Sequence, residues 1–435
     1  MPVTPADSTV LGFEEARRVV EEHAARVPPS PTESVDLLSS AGRVLAEPVL
    51  ADRDLPPFPR STRDGYAVRS ADLAKLPAPL DVIGEIKAGE SADRIPIGIG
   101  PGQSVSIMTG APVPNGADAV VMVEYTTRSG DRVEITRSAS PGDNIVPRGA
   151  EARQNSLLLD HGVRLTPAAI ALAASVGKSH LKVHKRPRVA VLTTGDEIVD
   201  VNSVPGPTQI RNSNGYSLAA QIQQAGAEPI LLPVAPDEPR ALRRLIEDGL
   251  QSDLLLMSGG VSMGRYDLVE QVLSEIGAEF FFTGAKIQPG RPVVFGKCVA
   301  GRYEEDWSTV ATPARRGSSA SHRASYFFGL PGNPVSTMVT FELFARPMLE
   351  ALSGQSPRKL IYLHAHLKSE IRTKPGLTRF LPAILSGEFE NTTVELVPWQ
   401  GSGDIAASAR SNCYIVIPPD REFIAAGENV AVMLR

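Results

Sequence analysis

From Val189 onward the chain repeats one pattern: a short apolar run, a turn rich in Gly or polar residues, then a segment with hydrophobic residues at helical spacing. The runs begin at Val189 to Leu192, Glu228 to Leu232, Asp253 to Met257, Val293 to Phe295 and Tyr326 to Gly329, with helical patterns over Tyr216 to Ala225, Pro239 to Leu250, Tyr266 to Ile276 and after Pro334. Such alternation predicts an α/β fold, a mostly parallel sheet covered by helices on both faces. In sheets of this kind ligands bind beyond the C-terminal ends of the strands.

Three of the turns carry unusual residues. Thr193-Thr194-Gly195-Asp196-Glu197 follows the first run, and Ser258-Gly259-Gly260-Val261-Ser262-Met263-Gly264-Arg265-Tyr266-Asp267 follows the third. Gly329-Leu330-Pro331-Gly332-Asn333-Pro334-Val335-Ser336 follows the last. Glycines let a backbone approach a ligand closely, and amides at a helix start face an anion. An ordinary Gly-rich turn has the same composition, so each loop alone is weak evidence. Asp267 also reads as the N-cap of the next helix, and either Asp196 or Glu197 could cap while the other acts.

Elsewhere the pattern changes. Leu11 to Ala25 reads as a helix with Phe13, Ala16, Val20 and Ala24 on one face. A Pro-rich stretch then delivers Asp64-Gly65-Tyr66-Ala67, and short β-branched runs broken by Gly and Pro continue to about Ile145. That region predicts a small β-rich module inserted into another unit, since helical patterning resumes at 167–176. After Gly354 short β-runs predict a separate C-terminal β-domain, and 299–325 has no hydrophobic period and reads as a disordered excursion.

Bulk properties narrow the function. A chain of 435 residues is too long for one core. With a net charge of -5 and no dominant Lys/Arg block, a nucleic-acid surface is not expected. Cys298 and Cys413 stand alone without metal-ligand spacing, so neither a disulfide framework nor a zinc site is indicated, and a reducing cytoplasm fits. No apolar run reaches the roughly 18 residues of a membrane span, and no secretory signal is evident. No GxGxxG opens a helix after the first run, which argues against a nicotinamide enzyme.

Taken in order, the turns above together with Met108-Thr109-Gly110-Ala111-Pro112 and Lys286-Ile287-Gln288-Pro289-Gly290-Arg291-Pro292 resemble the molybdopterin molybdenumtransferase family, which includes the gephyrin E domain. The resemblance runs from about residue 10 to the C-terminus, apart from 299–325. It implies a split α/β dimerisation region (10–49 and 146–185), an inserted β-rich module (50–145), an α/β molybdopterin-binding domain (186–354) and a C-terminal β-barrel (355–435). It further implies a homodimer whose cleft joins the pterin-binding domain of one subunit to the inserted module of the other. The reaction implied is insertion of molybdenum from molybdate into adenylylated molybdopterin, with magnesium assisting and AMP leaving.

By motif position the resemblance assigns Asp64, Glu197, Asp267, Thr109 and Lys286 to catalysis, with Asp64, Glu197 and Asp267 as magnesium ligands. Gly259, Gly260, Ser262, Gly264, Arg291, Pro331, Gly332, Asn333 and Pro334 would bind the pterin. These types suit the chemistry, because every substrate is anionic and two unit charges about 4 Å apart repel by about 4 kcal/mol at an effective dielectric near 20. Lys286 and Arg291 offset that repulsion, and carboxylates become useful beside anions once a hard divalent ion is added. The chain departs from the family at Val146, Leu377 and Pro382, where Arg is common, at Asn212, where Asp is usual, and at Arg291, where Lys is usual. A pterin carrier with a depleted cation set is the alternative reading.

Overall fold

The structure is a computed structural model that describes residues 9–95, 97–260, 268–299, 324–389 and 391–435. The chain divides into two compact units, one of Met1–Glu33, Gly42–Ala46 and Lys182–Arg435, the other of Ser34–Ala41 and Glu47–Leu181.

In the smaller unit a six-stranded sheet has the order Ala119–Met122, Gly65–Val68, Gln103–Ile107, Ala78–Ile86, Arg132–Ile135, Thr126–Ser129. Period-two alternation sends Tyr66 and Val68 into one core with Leu80, Val121 and Val133, and Ala67 into another with Ile86, Val105 and Ile107. Gly65 has no room for a side chain, since a Cβ there would lie 1.9 Å from the Val121 carbonyl oxygen. The closeness of these two strands therefore requires Gly immediately after Asp64. The Ala-rich segment forms the helix Pro167–Ser175, with Thr166 accepting from the Ala169 amide at its start.

In the larger unit the alternating pattern becomes a six-stranded sheet ordered Glu228–Leu231, Arg188–Thr193, Leu254–Ser258, Ala324–Leu330, Val294–Val299, Glu279–Phe282. The first four are parallel, Val294–Val299 runs antiparallel to them, and Glu279–Phe282 pairs antiparallel with Val294–Val299. Both faces are covered. Ala190, Leu192, Leu255 and Met257 pack with Leu242, Ile246, Val269 and Val272, while Val189, Val191, Leu254 and Leu256 pack with Leu218, Ile222 and Val339. This explains why the central runs are continuously apolar rather than alternating.

The helices observed are Ser213–Gln224, Pro239–Gly249 and Leu268–Glu275, and after Pro334 a continuous helical rod in which π geometry over Phe341–Ala345 separates two α segments. At the N-terminus the helix spans Phe13–Ala24, buries Ala16, Val20 and Ala24, and excludes Leu11. Leu11 is instead the end of a two-residue strand paired with Gly284–Ala285. The expected excursion at 299–325 is too wide: Val299, Ala324 and Ser325 complete the ladder between Val294–Val299 and Ala324–Leu330. The rest of it lies outside the described residues.

The C-terminal residues close a five-stranded barrel in the order Thr378–Ser386, Thr393–Leu396, Leu363–Leu367, Asn429–Leu434, Cys413–Ile417 and back to Thr378–Ser386. Leu381, Ala383, Ile415 and Val432 fill it. Phe380, Tyr414, Val416 and Met433 point the other way, into the core shared with Phe344 and Val339. Phe13 meets Phe380 edge to face at 5.3 Å. The strand Ile287–Gln288 adds in parallel to Thr378–Arg379, so the Lys286–Pro292 segment borders barrel and α/β sheet together.

Truncating Phe380 should therefore weaken the barrel and the α/β core at once. Phe380→Ala is expected to lower the unfolding free energy by about 3–5 kcal/mol, measured by urea denaturation. A loss below about 1 kcal/mol would show that the shared core is not needed.

Candidate functional site

At the C-terminal ends of the parallel strands the three turns interlock. The Thr194 amide donates to the Ser258 carbonyl at 3.0 Å, and the Gly259 amide to the Leu330 carbonyl at 3.3 Å. The Ser258 hydroxyl donates to the Pro331 carbonyl at 3.3 Å. Gly259 and Gly260 have φ of 92° and 65°, values that suit glycine, and a Cβ on either would run into Thr194. A Cβ on Gly332 would lie 3.6 Å from the Gly259 Cα. The backbone of all three turns thus comes together without intervening side chains.

The acids behave differently from one another. Asp196 accepts from the Asp237 amide at 3.0 Å and is committed to holding the turn. Glu197 is exposed and folds back over Gly195, where a Cβ would lie 2.5 Å from its carboxylate. In the smaller unit Asp64 Oδ1 accepts from both the amide and the hydroxyl of Thr109, at 2.6 and 2.7 Å. Those bonds, the amide first and the hydroxyl second, hold the Asp64 carboxyl below its ordinary pKa because they favour the charged form. Asp267, Ser262 and Gly264 lie outside the described residues.

A cavity of about 370 Å³ opens beside the Pro331–Ser336 turn. Its walls include Arg291, Pro331, Asn333 and Ser336 from the α/β part and Leu377, Trp399 and Ser402 from the barrel. The Val335 amide donates to the Ser402 carbonyl at 3.0 Å, which fixes the barrel loop against the start of the helix at Pro334. Asn333 stands at the N-cap position, yet its side chain makes no capping bond. Gly290, with φ of 106°, would place a Cβ 2.4 Å from Thr340, so the Arg291 loop packs directly on that helix. Arg291 and Lys286 are exposed and form no ion pair among the described residues. Two distinct neighbourhoods of expected site residues thus share one turn, Pro331–Pro334.

Residues at the departures from the family pattern find other work. Asn212 caps the helix Ser213–Gln224 by accepting from the Gly215 amide at 2.9 Å and donates to the Thr193 hydroxyl at 2.9 Å. Arg148, two residues after Val146, is bound to Asp54 at 2.7 Å. Leu377 gives the cavity an apolar wall, and the buried Arg379 turns its guanidinium to the Leu377 carbonyl at 3.2 Å. Trp399 and Ser402 had no motif to mark them, because they reach the site from distant elements, and the segment that contains Asn214 was marked only for Asn212.

Asp64, in the smaller unit, and Glu197, in the larger, each carry the carboxylate oxygens that a hard cation takes. Burial pushes the thiols of Cys298 to about 12 and Cys413 to about 11, far from the thiolate form a soft metal needs. Among the described residues no three His, Cys, Asp or Glu side chains stand close enough to hold a metal by themselves. No described helix is long and apolar enough to cross a membrane.

Comparison with known proteins covers nearly the whole chain. Family models described as MoeA N-terminal region (domain I and II), probable molybdopterin binding domain, and MoeA C-terminal region (domain IV) match residues 11–177, 190–351 and 364–434. Proteins named molybdopterin molybdenumtransferase are similar: one from Nostoc sp. is 34% identical over 92% of this chain and 88% of its own length. Another from Haemophilus influenzae is 33% identical over 93% and 94%. Two solved structures of the molybdopterin biosynthesis MoeA protein from Pyrococcus horikoshii align over 98% of this chain and 99–100% of theirs, with TM-scores of 0.68 and 0.74 at 32% and 27% identity.

The Asp64 geometry makes a direct prediction. Nuclear magnetic resonance titration should place its carboxyl below the ordinary value of 3.8, so its contribution to stability is present above the unfolded pKa and lost as pH falls through the lower folded value. Thr109→Val removes the hydroxyl donor and leaves the amide, so the pKa should rise part of the way. An unchanged pKa in the variant would show that the hydroxyl does not hold the acid.

Proposed function

Because this chain belongs to the molybdopterin molybdenumtransferase family, we propose that it inserts molybdenum from molybdate into adenylylated molybdopterin with release of AMP. The observation that carries the reading is the shared Pro331–Pro334 turn, which borders the three-turn crevice on one side and the Arg291 cavity on the other. A substrate with a pterin, phosphates and a dithiolene needs such a composite surface. Backbone close to Gly259, Gly260 and Gly332 admits a flat or anionic group, while the Arg291 guanidinium faces an oxyanion or phosphate.

The residue assignments extend that reading. We assign Asp64, Glu197 and Asp267 as the carboxylates that would hold magnesium, which when bound neutralises phosphate oxygens. Thr109 keeps Asp64 ionised and oriented, and Lys286 supplies a second cation. Ser262, Gly264 and Pro334 complete the pterin-binding set with Gly259, Gly260, Arg291, Pro331, Gly332 and Asn333. The division into four domains, a homodimeric state and a cytoplasmic location belong to the same proposal. Sedimentation equilibrium is expected to give twice the chain mass, and a monomer would remove the dimer from it.

The reaction itself is testable with purified protein, adenylylated molybdopterin, magnesium and molybdate. AMP should appear only when molybdate is present. Arg291→Ala should lower kcat/KM by about tenfold or more, in line with loss of a hydrogen bond to a charged group. Pterin binding without molybdate-dependent AMP release under any metal condition would replace the enzyme by a carrier.

A further inference from the structure

The helix Ser213–Gln224 carries two carboxamides seven residues apart, on one face, and both reach into the segment that follows the last parallel strand. Asn214 Nδ2 donates to the Gly332 carbonyl at 2.6 Å and to the Ser258 hydroxyl at 2.9 Å. Gln221 Nε2 donates to the Met338 carbonyl at 3.1 Å and to Glu342 at 2.8 Å, where the rod enters its π segment. Glu342 accepts in turn from Nε and Nη2 of Arg346, at 2.5 and 2.9 Å. The Gly332 and Met338 carbonyls can only accept, so they fix which end of each carboxamide is the donor.

The other halves of these side chains are left over. Asn214 Oδ1 and Gln221 Oε1 are both shielded from solvent and have no hydrogen-bond partner among the described residues. A buried acceptor without a donor weakens the folded state, and an apolar residue of similar size would avoid that cost. What the carboxamides supply is donation to two carbonyls of the Gly332–Met338 segment. Among the described residues Asn214 is the only side chain that donates to both the Ser258 and the Gly332 turns.

We propose that Asn214 is a positioning residue for substrate binding, setting the gap between the Ser258–Gly260 and Pro331–Ser336 turns, with Gln221 anchoring the same segment two turns along the helix. The inference rests on the transferase reading for its ligand and for its turnover measurement. Asn214→Asp keeps the shape and replaces the donor with an acceptor facing the Gly332 carbonyl, which drives the two turns apart. Asn214→Ala removes the staple, and Gln221→Ala removes the distal anchor.

The test compares these variants with the natural protein in thermal melting, in kcat and KM for adenylylated molybdopterin, and in equilibrium binding of the same compound. Asn214→Asp and Asn214→Ala are expected to raise KM and the dissociation constant at least tenfold with kcat reduced much less, and Gln221→Ala to act in the same direction more weakly. The melting temperature of Asn214→Asp is expected to fall, so binding is measured well below it, on folded protein. A natural KM and dissociation constant in Asn214→Asp would overturn the proposal. So would a lowered melting temperature in which the remaining folded protein binds normally, since that is a purely structural role. Should the natural protein release no AMP, the transferase reading fails while the binding comparison still decides the role of Asn214.

Discussion

The turn from Pro331 to Ser336 must satisfy two neighbours at once, and the rest of the site follows from how it does so. On one side the Pro331 carbonyl takes the Ser258 and Thr337 hydroxyls, at 3.3 and 2.5 Å. On the other, the Val335 amide is tied to Ser402 in the barrel. A turn held at both ends cannot adjust to one partner without moving against the other, so the crevice and the cavity are mechanically linked. Buried hydrogen bonds of this kind cost about 1–3 kcal/mol each when one partner is left unmet, which keeps the turn in a single arrangement.

The barrel has a part in this that its size would not suggest. Its strand Thr378–Ser386 is buried on both faces near its start, with Leu381 inside the barrel and Phe380 in the α/β core. The same strand accepts Ile287–Gln288 as a parallel neighbour, and the Thr378 amide donates to the Lys286 carbonyl at 3.1 Å. The loop that bears Arg291 is therefore aimed by barrel pairing and by the close packing of Gly290 on Thr340. Leu377 and Trp399 then give the cavity a largely apolar wall, in which the guanidinium is the principal charge.

Much of this architecture was legible in the sequence for a physical reason. A parallel strand covered on both faces must be continuously apolar, and Leu254 to Met257 can hardly be anything else. The ends of such strands are where ligands bind, so the three turns could be located before any coordinates. Glu279–Phe282 escaped notice because an edge strand with three consecutive phenylalanines has no alternation, although Gly277 and Gly284 bound it. Thr378–Ser386 was hidden by Pro382, which normally argues against a strand interior, and by burial on both faces. Leu11 followed the helical period but was taken by strand pairing with Ala285. Within the site, Asn214 lies in a first helical turn where no local pattern marks it, and only tertiary contacts give it Gly332. Trp399 and Ser402 are brought to the cavity by barrel closure, which no local pattern records.

The central claim is that crevice and cavity form one binding surface through the Pro331–Ser336 turn. A crystal structure with adenylylated molybdopterin and molybdate bound tests it most directly. The account predicts one continuous ligand touching the Ser258–Gly260 backbone, Gly332 and the Arg291 side chain together. Ligand density confined to a different face, or bound with Gly332 and Arg291 both left exposed to solvent, would contradict it.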